Sequence, residues 1–439
     1  MADAVSRVPK RILANLLDSL AAGVVPRIGA PFVAIGREDE VSSLISSMER
    51  VQDGGSFMKL IIGRYGSGKS FLMQLTRGYA LERGFVCCDA DLSPERRFFG
   101  SKGNGLATYR ELVKNMSTKT SPEGNALPSL IAKWISNTQS IVAGEGYAVG
   151  TNEFEKRMTE KIHQITSEAQ SQVGGFDFAC VINAYYKASA NLDDEKKASA
   201  LRWLRGEYAT KAEAKRELGV SSIINDENWY DYIKLLAFFV RKIGYKGLIV
   251  FFDECVNLYK ITHRVSREAN YEKLLSMFND TLQGNSSGLG IILGGTPMFL
   301  EDKRRGLYSY EALKSRLEEG HFSTSGYRNL MGPVIRLERL TDDELYALVT
   351  RVKNLHAEYY AWSVPVSDEQ LAEFLKSVLS RTVSSSMLTP REIIRDLLGV
   401  LNILYQNKDA SFGDIVKSST QTNTDNKKES DDSLLEIEL

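Results

Sequence analysis

Lys69 and Ser70 close an eight-residue stretch (Gly63, Arg64, Tyr65, Gly66, Ser67, Gly68, Lys69, Ser70) that satisfies the pattern GxxxxGK[ST]. Glycines at 63, 66 and 68 let the backbone curl, so that several amides and the start of a following helix converge on phosphate groups. A lysine at this place binds the β- and γ-phosphates. The serine hydroxyl suits Mg²⁺, a hard ion that takes oxygen ligands and keeps several waters. Tyr65, Ser67 and, directly after the loop, Phe71 complete the nucleotide-side candidates. The expected ligand is a nucleoside triphosphate, ATP with Mg²⁺. A glycine-rich turn with an exposed lysine is the plain alternative, and context decides between them. An apolar run at 58–62 precedes the loop and helical composition at 71–83 follows it, the strand–loop–helix setting the chemistry needs.

Such a loop needs a second acidic site for the metal. The run Leu-Ile-Val-Phe-Phe at 248–252 reads as a buried parallel strand whose C-terminal end carries Asp253 and Glu254. Asp253 is placed to hold Mg²⁺, and Glu254 to polarise an attacking water as general base. A third strand, 288–293, ends in Gly294, Gly295, Thr296 and Pro297. If it lies between the other two, Thr296 reaches the γ-phosphate or the water; otherwise it is a turn threonine. Downstream, Arg304, Arg305 and Arg316 are candidates for an arginine given to a neighbouring subunit's phosphates, Arg316 first, although surface arginines are common. Thr389, Pro390 and Arg391 open a helix, threonine as its cap and proline in its first turn, from which Arg391 faces the nucleotide.

The elements that position these residues follow from hydrophobic period. Leu13, Leu16, Leu17 and Leu20 share a helical face before a Gly-Val-Val-Pro break at 23–26, and a second helix is expected at 38–51. A strand at 85–88 delivers Asp89, Asp91, Arg96 and Arg97 into the loop after it. From 100 to 244 the pattern is helical, with Trp229, Ile233, Leu236, Phe239, Val240 and Ile243 on one stripe that reads as core. A helix is expected from Ser309, and helices at 342–359, 368–380 and 390–406 follow the last apolar run, 333–337. Strands alternating with helices give an α/β fold with a parallel sheet. Residues 418–439 are polar and acidic, the composition of a disordered tail.

At 439 residues, 43% hydrophobic and 25% charged, the chain has globular composition and length for several domains. No run of about 18 apolar residues and no signal-peptide pattern occur, so a soluble cytoplasmic protein without membrane contact is expected. Four cysteines without CxxC spacing and four histidines indicate structural thiols, not a zinc site. A net charge of -1 gives no support to non-specific DNA binding.

Taken together, Ile35, Gly36, Arg37 and Glu38, the phosphate loop, Asp253 with Glu254, Thr296, Arg316 and Arg391 resemble an AAA+ ATPase of the replication-initiator type. More closely, the chain resembles the P-loop ATPases of bacterial BREX phage-defence systems, the BrxC and BrxD type. That likeness rests on Gly-Val-Val-Pro-Arg at 23–27, the loop at 63–70, Asp-Leu-Ser-Pro-Glu-Arg-Arg at 91–97 and Leu-Arg-Trp-Leu-Arg-Gly-Glu at 201–207. It continues in Gly-Gly-Thr-Pro at 294–297, Arg-Arg-Gly-Leu-Tyr-Ser-Tyr at 304–310 and Thr-Pro-Arg-Glu at 389–392. The resemblance implies that Ile35 to Arg37 lie near the adenine, that Thr296 and Arg391 are the two sensors, and that Arg316 is the arginine finger.

It also implies an organisation: an N-terminal helical segment with the adenine side at 1–56, the P-loop half of the core at 57–99, a large helical insertion at 100–245, the Walker B and sensor half at 246–337, a helical lid at 338–417 and the tail. The stretch between Lys69 and Asp253 is far longer than a compact AAA+ core needs, and no room is left after the lid for a winged helix. The expected activity is ATP hydrolysis by a homo-oligomer, or with a partner ATPase or other defence-complex protein. A nucleotide-gated interaction module, a DNA-stimulated motor using Arg96, Arg97 or Lys102, and a small-molecule kinase using Asp89 and Asp91 are the alternatives.

Overall fold

The computed structural model describes residues 8–100, 102–169, 174–318, 328–380 and 389–416. The tail expected at 418–439 lies outside the described residues. Five strands, β1 (Ser56–Ile62), β2 (Val86–Asp91), β3 (Leu248–Asp253), β4 (Leu289–Gly295) and β5 (Val334–Arg336), form one sheet in the order β2-β3-β4-β1-β5. Every pairing is parallel. Parallel neighbours require crossover connections, and the described residues supply helices for them. The result is an α/β fold of the kind a P-loop ATPase uses.

The strands are apolar throughout because both faces of the sheet are covered: β4 is buried along its whole length and β3 up to Asp253. Each fully buried Leu, Ile or Phe here contributes about 1.5–3 kcal/mol, which holds the strand ends that carry the polar residues. One correction concerns β2. It runs through Asp91 instead of stopping at Cys88, so Asp89 and Asp91 belong to the strand and not to the following loop. The cause is register: the ladder with β3 continues to the pair Asp91–Asp253. The helix expected from Ser309 is a 3-10 turn, Leu307–Ser309, followed by a helix Glu311–Leu317.

The chain divides into two compact units. The first comprises Asp39–Gly63 and Thr76–Arg336 and contains the sheet. Its core joins the strands to helices of the 104–242 stretch, where Trp229, Ile233, Leu236, Phe239 and Val240 of the helix Trp229–Lys242 are all buried, as the stripe required. The buried Lys59 of β1, 2% exposed, donates to Leu330 O at 2.7 Å and Gly332 O at 3.0 Å, anchoring the approach to β5. Burial, aided by Arg50, lowers its pKa to about 8.

The second unit comprises the described residues of Met1–Glu38, Arg64–Leu75 and Leu337–Leu439. Its core brings Leu13, Leu16, Leu17 and Leu20 of the helix Lys10–Ala21 together with apolar faces of Asp342–Tyr360, Asp368–Ser380 and Pro390–Gln406. Two of these helices open with capping boxes, Thr341 with Glu344 and Thr389 with Glu392.

Candidate nucleotide-binding site

In the sheet-bearing unit, β1 leads into the glycine-rich stretch at Gly63, whose N–H donates to Gly295 O at 3.1 Å. β4 stands between β1 and β3, so the condition attached to Thr296 is met. Thr296 follows β4 as the N-cap of the helix Pro297–Glu301, its oxygen accepting from Phe299 N at 3.3 Å. Capping uses the hydroxyl as an acceptor and leaves its O–H to donate elsewhere. The turn reading and the ligand reading of Thr296 are therefore compatible.

The end of β3 is built with backbone strain. Glu254 has φ +54°, a left-handed conformation that costs a non-glycine residue about 1–2 kcal/mol. Surrounding bonds hold it: Glu254 N donates to Asp253 Oδ1 at 2.8 Å, Cys255 N to Gly294 O at 3.0 Å and Leu92 N to Asp253 O at 3.0 Å. The turn leaves Glu254 exposed and Asp253 half-buried.

Register places Asp91 beside Asp253. Burial raises the pKa of Asp91, and the charges of Asp253, Asp89 and Glu254 raise it further. Asp89 forms an ion pair at 3.2 Å with the buried Arg77, which removes support from its use as a kinase substrate ligand. Sequence reasoning missed Asn257, whose side chain donates to Leu92 O at 2.8 Å and ties the β2 exit to the turn after β3. A lone Asn three residues past an acidic pair carries no pattern that could have announced it.

The three arginines separate by environment. Arg305 is half-buried, donates to Tyr259 O at 3.2 Å and lies 5.2 Å from the Tyr259 ring centre, a structural setting. Arg304 is exposed. Arg316 is exposed too; it reaches Asn279 Oδ1 at 3.0 Å and Ala312 O at 2.7 Å rather than the carboxylates of β3. The cysteines are free. Burial pushes the Cys87 thiol up to about 12 and those of Cys88 and Cys255 well above the usual range, so these three are inert.

The remaining candidates lie in the second unit. Gly66 and Gly68 have φ +76° and +90°, and the helix Lys69–Glu82 begins directly after them. Nothing lies within 4 Å of where a Cβ on Gly68 would be, whereas a Cβ on Gly66 would strike Thr389. Lys69 Nζ arches back to Arg64 O at 3.1 Å. Tyr65 is 82% exposed, Phe71 and Ile35 pack against this unit's core, and the exposed Arg391 lies with its Cγ and Cδ 3.6 Å from a Cβ built on Gly23.

Arg37, only 7% exposed, turns inward: its Nη2 donates to Ser67 O at 3.1 Å and to Glu338 O at 2.8 Å. A buried arginine that serves main-chain carbonyls is unreadable from composition, and only the resemblance drew attention to its segment.

These residues fit a triphosphate. The α-carbon of Gly68 borders open space, and the buried Ser67 hydroxyl has no hydrogen-bond partner among the described residues, a donor in want of an acceptor. Among the described residues no three His, Cys, Asp or Glu are grouped to hold a metal, and Mg²⁺ characteristically uses one or two protein ligands together with phosphates.

No helix among the described residues is long and apolar enough to cross a membrane. No curated protein matches the sequence closely enough to serve as a relative. The family profile described as "BREX system ATP-binding protein BrxC/D" matches residues 8–420, nearly the whole chain and both units, and this protein therefore belongs to that family.

Proposed function

We propose that this protein is a Mg²⁺-dependent ATP hydrolase of AAA+ type that acts in a bacterial phage-defence complex, as a homo-oligomer or with a partner ATPase. The observation that carries the reading is the strand order: β4, followed directly by Thr296, lies between the strand that leads to the P-loop and the strand that ends at Asp253 with Glu254 next to it. That order sets a hydroxyl donor at the end of the strand next to the one that carries the carboxylate pair.

In this reading the loop amides of 63–70 bind the phosphates and Lys69 neutralises the β- and γ-oxygens. Ser70 and Asp253 would each offer Mg²⁺ an oxygen, and the ion would supply charge neutralisation on the phosphates. Glu254 accepts the proton of the attacking water from a strained backbone position that the surrounding hydrogen bonds hold. Thr296 donates its hydroxyl hydrogen to the water or the γ-phosphate. Arg316, from an adjacent subunit, and Arg391, from the helical lid at 338–417, complete the charge. Ile35 lies on the adenine side, and Tyr65 and Phe71 are further nucleotide-side residues. The helices of 100–245, an insertion in the core, set what hydrolysis is used for.

The test is a pair of variants. Lys69→Ala loses ATP binding, and Glu254→Gln binds ATP and releases no phosphate. Equal phosphate release by wild type and Glu254→Gln would sink the catalytic assignment. A nucleotide-gated interaction module is a second reading, favoured by the contact of Thr389 with Gly66, which joins the loop to the C-terminal helices. Negligible turnover with ATP-dependent capture of one partner protein would select it.

A further inference from the structure

We infer that Arg37 is a positioning residue that aims the Gly68 amide at the triphosphate and ties that aim to the C-terminal helices. The inference rests on the nucleotide-binding reading above and assigns Arg37 a different role from the adenine-side contact its segment implied.

The argument begins with the peptide plane. The bond between Ser67 and Gly68 is trans, so the carbonyl of Ser67 and the N–H of Gly68 point to opposite sides of one rigid plane. Arg37 holds the carbonyl side, Nη2 to Ser67 O at 3.1 Å. The N–H of Gly68 is thereby turned the other way, on a residue whose α-carbon borders open space. A glycine at φ +90° has no side chain to lock this plane, and without an external partner the peptide can flip. A guanidinium supplies the lock with a charge-assisted bond, and its positive charge beneath the loop favours an anion on the far side.

The second hydrogen of the same Nη2 goes to Glu338 O at 2.8 Å, at the head of the segment that enters the helix Asp342–Tyr360. Both hydrogens of that nitrogen are thus committed, one to the loop and one to the C-terminal segment. The base of Arg37 is itself fixed. Gly36 has φ +67°, and a Cβ there would strike the Glu344 carboxylate, which also accepts from Thr341 N at 2.8 Å in the capping box. The adjoining turn is held by Arg351 Nε, which donates to Phe32 O at 2.9 Å. Lysine can donate more than once from its single nitrogen but carries it on a shorter side chain, so it reaches the two carbonyls less well from this position.

The test uses the full-length chain and measures displacement of a fluorescent ATP analogue by ATP and by AMP. In Arg37→Met the ratio of ATP to AMP affinity falls about ten- to a hundredfold, the worth of a charge-assisted hydrogen bond, while AMP affinity stays within about twofold. Arg37→Lys falls between. The ratio belongs to the folded fraction alone, so partial unfolding of a variant does not imitate the result. At saturating ATP, amide exchange across 63–70 is protected in wild type and stays faster in Arg37→Met. An unchanged ratio, equal protection, or AMP weakened as much as ATP overturns the inference, the last by returning Arg37 to the adenine side. A wild type whose ATP binding does not respond to Lys69→Ala overturns the nucleotide-binding reading and this inference with it.

Discussion

Thr389 caps the helix Pro390–Gln406 while its side chain rests on the α-carbon of Gly66 in the phosphate loop. A Cβ on Gly66 would lie 2.9 Å from Thr389 Cβ and strike Cγ2, so glycine is required at 66 by contact as well as by its φ of +76°. Gly66→Ala is expected to lower stability by about 1–3 kcal/mol through strain and overpacking, and to weaken ATP binding at least about tenfold. Thr389→Ser removes Cγ2 and keeps the capping oxygen, so the double variant recovers part of both losses. Denaturant unfolding and ATP titration of the four proteins check this; additive losses in the double variant would disprove the contact.

Thr296 offers a cleaner separation of cap from chemistry. Thr296→Ser keeps the oxygen that accepts from Phe299 N and the hydrogen that donates, and should retain most ATP turnover. Thr296→Val loses both. It should cost about 0.5–2 kcal/mol of stability, the usual cap value, and should lower phosphate release while ATP still binds. Turnover by Thr296→Val equal to that of wild type would leave Thr296 as a cap only.

What the sequence made legible divides along physical lines. Buried parallel strands are continuous apolar runs, so 248–252 and 289–293 announced β3 and β4, and the helices expected at 342–359, 368–380 and 390–406, the last with Thr389 as its cap, are found at 342–360, 368–380 and 390–406. The strand order was stated only as a condition on Thr296, since pairing partners leave no local trace, and the sheet meets that condition. Asp89 and Asp91 misled for the same reason: two aspartates look like loop, and only the ladder with β3 keeps them in strand. Arg37 and Lys59 were beyond reach because their partners are main-chain carbonyls distant in sequence, and every residue has a carbonyl.

The arginines predict opposite signatures. Arg305→Ala removes a guanidinium that bonds Tyr259 O and packs on the Tyr259 ring, and should destabilise the fold by about 1–3 kcal/mol. Arg316→Ala, at an exposed site, should stay within about 0.5 kcal/mol of wild type. If Arg316 serves a neighbouring subunit, its variant also loses ATP turnover and any ATP-dependent increase in mass by light scattering. Normal turnover in Arg316→Ala would move the finger assignment to Arg304.

His356 provides a pH test of the C-terminal helical unit. It is buried, and the indole N–H of Trp362, which can only donate, points at Nδ1 at 3.1 Å. Nδ1 is therefore the bare nitrogen, and Nε2 carries the hydrogen given to Asn402 Oδ1 at 3.1 Å. Protonating Nδ1 would set one N–H against another, and burial already holds the pKa of His356 below its ordinary 6.5. Because the folded value lies under the unfolded one, the unfolded chain binds more protons in the window below pH 6.5. The stability His356 confers is complete above that pH and is lost as pH falls through the folded pKa. Acidification from pH 7 should loosen the Trp362 site, read as a change in its emission with the other three tryptophans replaced, and lower the unfolding temperature. His356→Phe should remove that part of the pH slope, since it cannot titrate; a slope identical to wild type would show that other groups set the acid limit of this unit.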